Sequence, residues 1–194
     1  MVEPVWARHK QHKGFRQRLP PGTGVSSGLV AGPLPVHDAP TMTAISPLAP
    51  AAFPALPAIA GVRLAATESG ERYKGRSDLT LIKLAPGTSA AGVFTRSRTA
   101  SGPVEWCRAI LEGGTARAVV VNAGNANAFT GAVGRTAVRR TAETAGACVG
   151  AAPEQVFIAS TGVIGETLSA DKIEGALPGL AEALDDSAWE AAAR

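Results

Sequence analysis

The stretch that most restricts the fold is Ala116–Val121 (ARAVVV), a short and almost continuous apolar run of the kind found in buried strands. The segments around it supply the rest of the layout. Val62, Leu64 and Ala66 alternate with polar or small residues, as a strand does. Ser77–Leu84 alternates more strongly, with Leu79, Leu81 and Lys83 on one face and Thr80, Ile82 and Leu84 on the other. Ala85-Pro86-Gly87-Thr88 is a turn sequence, and Ala91–Thr95 is expected to return as the partner strand of an antiparallel hairpin. Pro103 opens a helix with Val104, Cys107, Ile110 and Leu111 at helical spacing, ended by Gly113-Gly114. Beyond the apolar strand comes a helix from about Val133 to Val149, with Ala137, Thr141, Thr144 and Cys148 on one stripe. A strand at Gln155–Ala159 and a helix at Leu168–Leu184, interrupted by Pro178, complete the order. Hairpin, helix, strand, helix, strand, helix is an α/β arrangement, given an α+β character by its antiparallel start.

Residues 1–56 differ in kind. They hold nine of the 14 prolines and show no sustained periodicity. A disordered or extended arm is expected there, with 57–194 as the folded domain. Met42 begins a stretch, MTAISPLAPAAFPALPAIAGV, that resembles a natural protein start, so residues 1–41 are expected to be a start-site extension. Charge supports the division. Arg8, Lys10, Lys13, Arg16 and Arg18 crowd into the arm, whereas from Met42 onward 14 basic side chains balance 14 acidic ones. The net charge of +3 therefore gives the body no basic face, which argues against nucleic-acid binding.

No apolar run reaches the roughly 18 residues that a membrane helix needs. Pro47, Pro50, Pro54 and Pro57 break the one apolar stretch, at 46–62. The basic start lacks both the apolar core of a secretory signal and the clear amphipathic stripe of a transit peptide. Cys107 and Cys148 belong to no CxxC and lie near no histidine at ligand spacing, so no metal site is expected. Trp189–Arg194 sits inside a helical pattern with no stop signal, and the domain is expected to be truncated there.

Two loops are expected at the carboxyl ends of the apolar strands, where α/β sheets tend to hold ligands. The first is Asn122–Gly131 (NAGNANAFTG), in which Asn122, Gly124, Asn125 and Asn127 are the candidate site-adjacent residues. Asn and Gly tolerate left-handed backbone, and Asn side chains tie down nearby amides. Such a loop is either a polar cradle or a self-bonded turn that touches nothing. The second is Ser160–Gly165 (STGVIG). Thr161 and Gly162 can present a hydroxyl and a bare backbone N–H to one point, the pair of donors that a developing oxyanion requires. An ordinary strand-to-helix turn is the bland alternative.

Other chemistries lack their residues. There is no GxxxxGK[ST], no GxGxxG and no GxSxG. His9, His12 and His37 all lie in the arm, so the body has no histidine base. Acyl transfer here would need a different base, such as the nucleophile's own amine.

Three blocks carry a resemblance. Gly61–Arg108 (GVRLAATESGERYKGRSDLTLIKLAPGTSAAGVFTRSRTASGPVEWCR), VVVNAGNANAFTG and FIASTGVIGE are similar, in order, to the bifunctional glutamate N-acetyltransferase/ornithine acetyltransferases. The resemblance covers about residues 57–194. It implies a cytoplasmic enzyme of arginine biosynthesis that moves the acetyl group of N-acetylornithine to glutamate, with acetyl-CoA accepted as a co-substrate by some members and no cofactor or metal. It also implies a precursor that cuts itself into α and β chains, assembled as an α2β2 heterotetramer. The fold is a sheet-and-helix sandwich shared with self-cleaving aminopeptidases. Matched residue by residue, Thr161 and Gly162 fall on the family's oxyanion-hole pair. The nucleophilic Thr is expected beyond Arg194, so the chain alone is expected to be inactive, with no nucleic-acid or membrane partner. Two other readings stand beside this one: an aminopeptidase of the related group, and a non-catalytic remnant that acts as an interaction domain.

Overall fold

In a computed structural model that describes residues 52–193, the two alternating segments form β1 (Val62–Thr67) and β2 (Leu79–Leu84). The readings of the Pro-rich arm up to residue 51, and of a start at Met42, lie outside the described residues. The remaining elements are α1 (Gly102–Ile110), β3 (Ala118–Asn125), α2 (Gly131–Val149), β4 (Val156–Val163), α3 (Ala170–Glu182) and α4 (Trp189–Ala193). Among the described residues one sheet contains the four strands in the order β1-β2-β3-β4. β2 runs antiparallel to both β1 and β3, while β3 and β4 are parallel and joined across α2. The mixed α/β layout is the one expected.

The hairpin has a different partner from the one expected. Ala91–Thr95 forms no strand, and Val93 is 98% exposed. β2 has only two sides, and β1 and β3 occupy both along its length, so no edge remains for a third strand. The turn at Ala85–Thr88 leads instead into a long connection held by a bridge from Ser89 to Thr115 and by Arg108, whose guanidinium donates to the Thr95 carbonyl at 2.7 Å.

Period-2 alternation decides which face of the sheet is dry. Ala65, Leu81, Val120 and Ile158 lie side by side across the four strands, and Ala118 and Val156 continue the face. Onto it pack Val138, Ala142, Ala145 and Val149 of α2 and Ile173, Leu177 and Leu180 of α3. The stripe of α2 falls one residue away from the expected line. Ala137 and Thr141 are buried, but Ala145 and Val149 take the central places while Thr144 and Cys148 flank them half-buried. Pro178 does not break α3. The apolar residues on either side of it, Leu177 and Leu180, are both buried, and their packing outweighs the roughly 3 kcal/mol of an interior proline.

Both sheet edges are managed. Along β1, Leu64 exchanges two backbone hydrogen bonds with Asp185. Along β4, α1 lies against the strand, and its side chains take the outward backbone groups. Trp106 Nε1 donates to the Val156 carbonyl at 2.9 Å. The Cys107 thiol donates to the Ile158 carbonyl at 3.2 Å and accepts from the Ile158 N–H at 3.3 Å. An uncovered edge would leave these groups to pair with another chain.

Candidate functional site

Neither candidate segment is a loop in its first half. β3 continues through Asn122, Gly124 and Asn125, and β4 continues through Thr161 and Gly162. The parallel ladder runs on past the apolar core, pairing Asn122 with Ser160, Ala123 with Thr161, Gly124 with Gly162 and Asn125 with Val163. The two segments, 38 residues apart at Asn122 and Ser160, are thereby brought side by side. On the face that carries the core, the cross-strand pairs read Ala118–Val156, Val120–Ile158, Asn122–Ser160, Gly124–Gly162. Side chains along this row turn from apolar to polar and then disappear.

The glycine pair shows why no side chain fits there. Gly162 has φ +128°, a backbone region that L-residues rarely occupy. A Cβ on it would lie 2.6 Å from the Asn125 nitrogen and closer still to the Gly124 carbonyl group. Gly124, at φ +112°, is covered on its other side by Tyr73 and Arg72. β3 and β4 can approach this closely only as backbone.

Asparagine side chains hold the strand ends. Asn122 is buried; its Oδ1 accepts from the Ser160 hydroxyl, and its Nδ2 donates to the Asn125 carbonyl at 2.8 Å. Asn125 Oδ1 accepts from the Asn127 N–H at 2.8 Å, and its Nδ2 reaches the Glu166 carbonyl. Asn127 is 0% exposed with φ +45°. Its amide donates to the Gly134 carbonyl in α2 at 3.0 Å and accepts from the Thr130 hydroxyl at 2.7 Å, while its carbonyl receives the Gly102 N–H at the start of α1. Backbone bonds from Ala126 N–H to the Val163 carbonyl and from Gly165 N–H to the Ala128 carbonyl close the arrangement. All four candidate residues of the first segment thus belong to one rigid framework.

Thr161 and Gly162 lie at the exposed end of β4. The Val163 carbonyl bonds toward β3, whereas the backbone groups of Val156 and Ile158 face α1. Strand alternation therefore turns the Gly162 N–H away from β3, toward the free edge. No α1 side chain among the described residues caps the edge at Ser160 or Gly162. The Thr161 hydroxyl has no protein partner among the described residues. A hydroxyl and an amide N–H on adjacent residues are thereby left open at the free edge of β4.

A second feature escaped the sequence reading. The connection between β1 and β2 folds as a strap over the end of β3. Arg72 pairs with Glu166 at 2.8 Å, Glu71 accepts from the Ser169 N–H, and Lys172 donates to the Gly70 carbonyl. Arg76 lies over the Tyr73 ring, 4.1 Å from its centroid. Buried Asp78 anchors the strap's base, accepting the Ser69 N–H at 2.6 Å through its side chain and the Ala123 N–H through its carbonyl. Its other carboxylate oxygen is buried without a hydrogen-bond partner among the described residues. Arg72, Tyr73, Asp78, Ser160 and Glu166 all stand in the blocks that carry the resemblance. None has a local spacing that reveals its contact.

Burial pushes the Cys107 thiol above its ordinary pKa, partly opposed by its hydrogen bonding with Ile158, and the raised value disfavours its thiolate form. Among the described residues, no cluster of His, Cys, Asp or Glu could hold a metal ion, and no helix is long and apolar enough to cross a membrane.

Comparison with known proteins gives a consistent set. The ArgJ family model matches residues 63–194. Over 152 residues the chain is 54% identical to the arginine biosynthesis bifunctional protein ArgJ of Bradyrhizobium diazoefficiens, covering 78% of this chain and 37% of that protein. The corresponding protein of Brucella suis is 52% identical over 150 residues, with 77% and 36% covered. Among solved structures, the chain is similar to the ornithine acetyltransferase of Mycobacterium tuberculosis crystallised with ornithine. That match has a TM-score of 0.63 and 34% identity over 66% of this chain and 69% of that one. ArgJ of Bacillus halodurans matches with a TM-score of 0.58 and 28% identity, over 61% and 62%. The chain spans little more than a third of the length of the curated relatives it matches.

Proposed function

The chain belongs to the ArgJ family, and from that premise we propose that it supplies the oxyanion-stabilising edge of an acetyl-transfer site acting in arginine biosynthesis. The whole site moves the acetyl group of N-acetyl-L-ornithine to L-glutamate. A Thr hydroxyl contributed by the remainder of the protein attacks the acetyl carbonyl, its proton taken by that residue's own α-amine. The carbonyl oxygen becomes an oxyanion, which receives hydrogen bonds from the Thr161 hydroxyl and the Gly162 N–H. Collapse breaks the C–N bond, the ornithine amine leaves with a proton, and an acetyl-Thr ester remains. The glutamate amine then attacks that ester through a second oxyanion in the same donors, releasing N-acetylglutamate and restoring the Thr. Each donor is worth about 3 kcal/mol in such a step, because it is aimed before the charge forms.

The observation that carries this reading is the pairing of an exposed Thr161 hydroxyl with the outward Gly162 N–H on a strand locked by Gly124 and the asparagine framework. Acetyl-CoA as an additional acetyl donor, a β chain in an α2β2 assembly and a cytoplasmic location belong to the same proposal. In the full-length protein, release of ornithine from N-acetylornithine should depend on added glutamate. Release at an equal rate without glutamate would mean transfer to water and would favour hydrolysis over acetyl transfer.

A further inference from the structure

The proposed donors are the Thr161 side chain and the peptide N–H that follows it on an edge strand, and something must hold that strand end against the pull of a forming oxyanion. The row of cross-strand pairs on the core face identifies the group. Ala118–Val156 and Val120–Ile158 are apolar and nearly or fully buried, yet the next pair is Asn122–Ser160. An apolar pair in that place would bury surface without any hydrogen-bonding requirement, so stability alone does not call for an amide. What a bonded polar pair adds is direction.

Asn122 spends both ends of its amide on that task. Its Oδ1 accepts a hydrogen bond from the hydroxyl of Ser160, the residue immediately before Thr161, and its Nδ2 donates to the carbonyl of Asn125, one residue after Gly124. One buried side chain thus ties the residue before the donor pair on β4 to the residue after the glycine contact on β3. Gly162 itself is pressed against Gly124, between the two tied points. We propose that Asn122 is a positioning residue which, through Ser160, fixes the direction of the Thr161 hydroxyl and the Gly162 N–H. This rests on the reading of that pair as the oxyanion donors.

The test uses the full-length protein and steady-state acetyl transfer from N-acetylornithine to glutamate. Ser160→Ala removes the hydroxyl and leaves the backbone. It should lower kcat by about tenfold with KM changed less than about twofold, because the interaction matters only once charge develops. Ser160→Thr keeps the hydroxyl and should recover most of the lost turnover. Asn122→Ala should lower kcat at least as far, and the Asn122→Ala/Ser160→Ala double variant should be no slower than Asn122→Ala alone, since the two act in series. With Thr161→Val already present, Ser160→Ala should cost clearly less than it does alone. A wild-type kcat for Ser160→Ala, or full additivity with Thr161→Val, overturns the positioning role. So does a loss confined to melting temperature. A wild-type protein without glutamate-dependent ornithine release, or a Thr161→Val variant with full turnover, overturns the donor reading and this inference with it. If Asn122→Ala fails to fold, the Ser160 variants decide alone.

Discussion

Gly162→Ala is the sharpest test of how β3 and β4 fit together. The new methyl would lie 2.6 Å from the Asn125 nitrogen, and closer to Gly124 C and O. Ordinary contacts between such atoms begin near 3.5 Å, so β4 would have to retreat by about 1 Å. That stretches the bond from Ala126 N–H to the Val163 carbonyl, now 2.9 Å, past useful hydrogen-bonding range. A lost bond costs about 1 kcal/mol, and an L-residue held at this φ costs roughly 1–3 kcal/mol more. The total is roughly 2–4 kcal/mol. Gly165→Ala provides the control. Gly165 also has positive φ (+87°), but nothing lies within 4 Å of its Cβ position, so only the backbone strain applies. Urea unfolding of both variants should place Gly162→Ala lower in stability by at least about 1 kcal/mol. In the full-length protein it should also lose about 10²-fold in turnover, because a donor displaced by 1 Å no longer meets the oxyanion. Equal midpoints for the two variants would refute the close-approach argument.

Asn127→Ala removes both side-chain bonds of a fully buried residue at φ +45° and should destabilise the chain by about 2–4 kcal/mol in the same assay. Burial raises the Cys107 pKa, so the unfolded chain loses that proton first. The associated stability is complete below the ordinary thiol value and declines as pH rises through it toward the folded value. Urea midpoints from neutral pH to about pH 10 should show this decline, and Cys107→Ala should shrink it to the part due to Cys148, raised by the same cause. An unchanged pH slope in Cys107→Ala would contradict the assignment.

How much of this could be read from residue order depends on the kind of information each part carries. β2 was legible because Leu79, Leu81 and Lys83 face the core side while Thr80, Ile82 and Leu84 face the other, a pattern stored within six residues. The extensions of β3 and β4 were not. Asn122–Asn125 and Ser160–Gly162 have turn-like residues, and their strand state comes from pairing with each other. The return strand at Ala91–Thr95 was a local inference defeated by a nonlocal fact, the occupation of both sides of β2. Thr161 and Gly162 could be singled out by chemistry and by resemblance. Their outward direction required the side chains of Trp106 and Cys107 to reveal which backbone groups of β4 face the edge. Arg72 and Tyr73 stand in a block that carries the resemblance, but their spacing gave no sign of their contacts, because an irregular strap over the end of β3 has no period.

Turnover of Thr161→Val in the full-length protein, measured as glutamate-dependent release of ornithine from N-acetylornithine, bears most directly on the donor pair. The substitution keeps the β-branched shape at an exposed position and removes only the hydroxyl. Loss of one preorganised donor should lower kcat by about 10² to 10³, with Thr161→Ser recovering much of it. A kcat for Thr161→Val equal to that of the wild type would contradict the assignment.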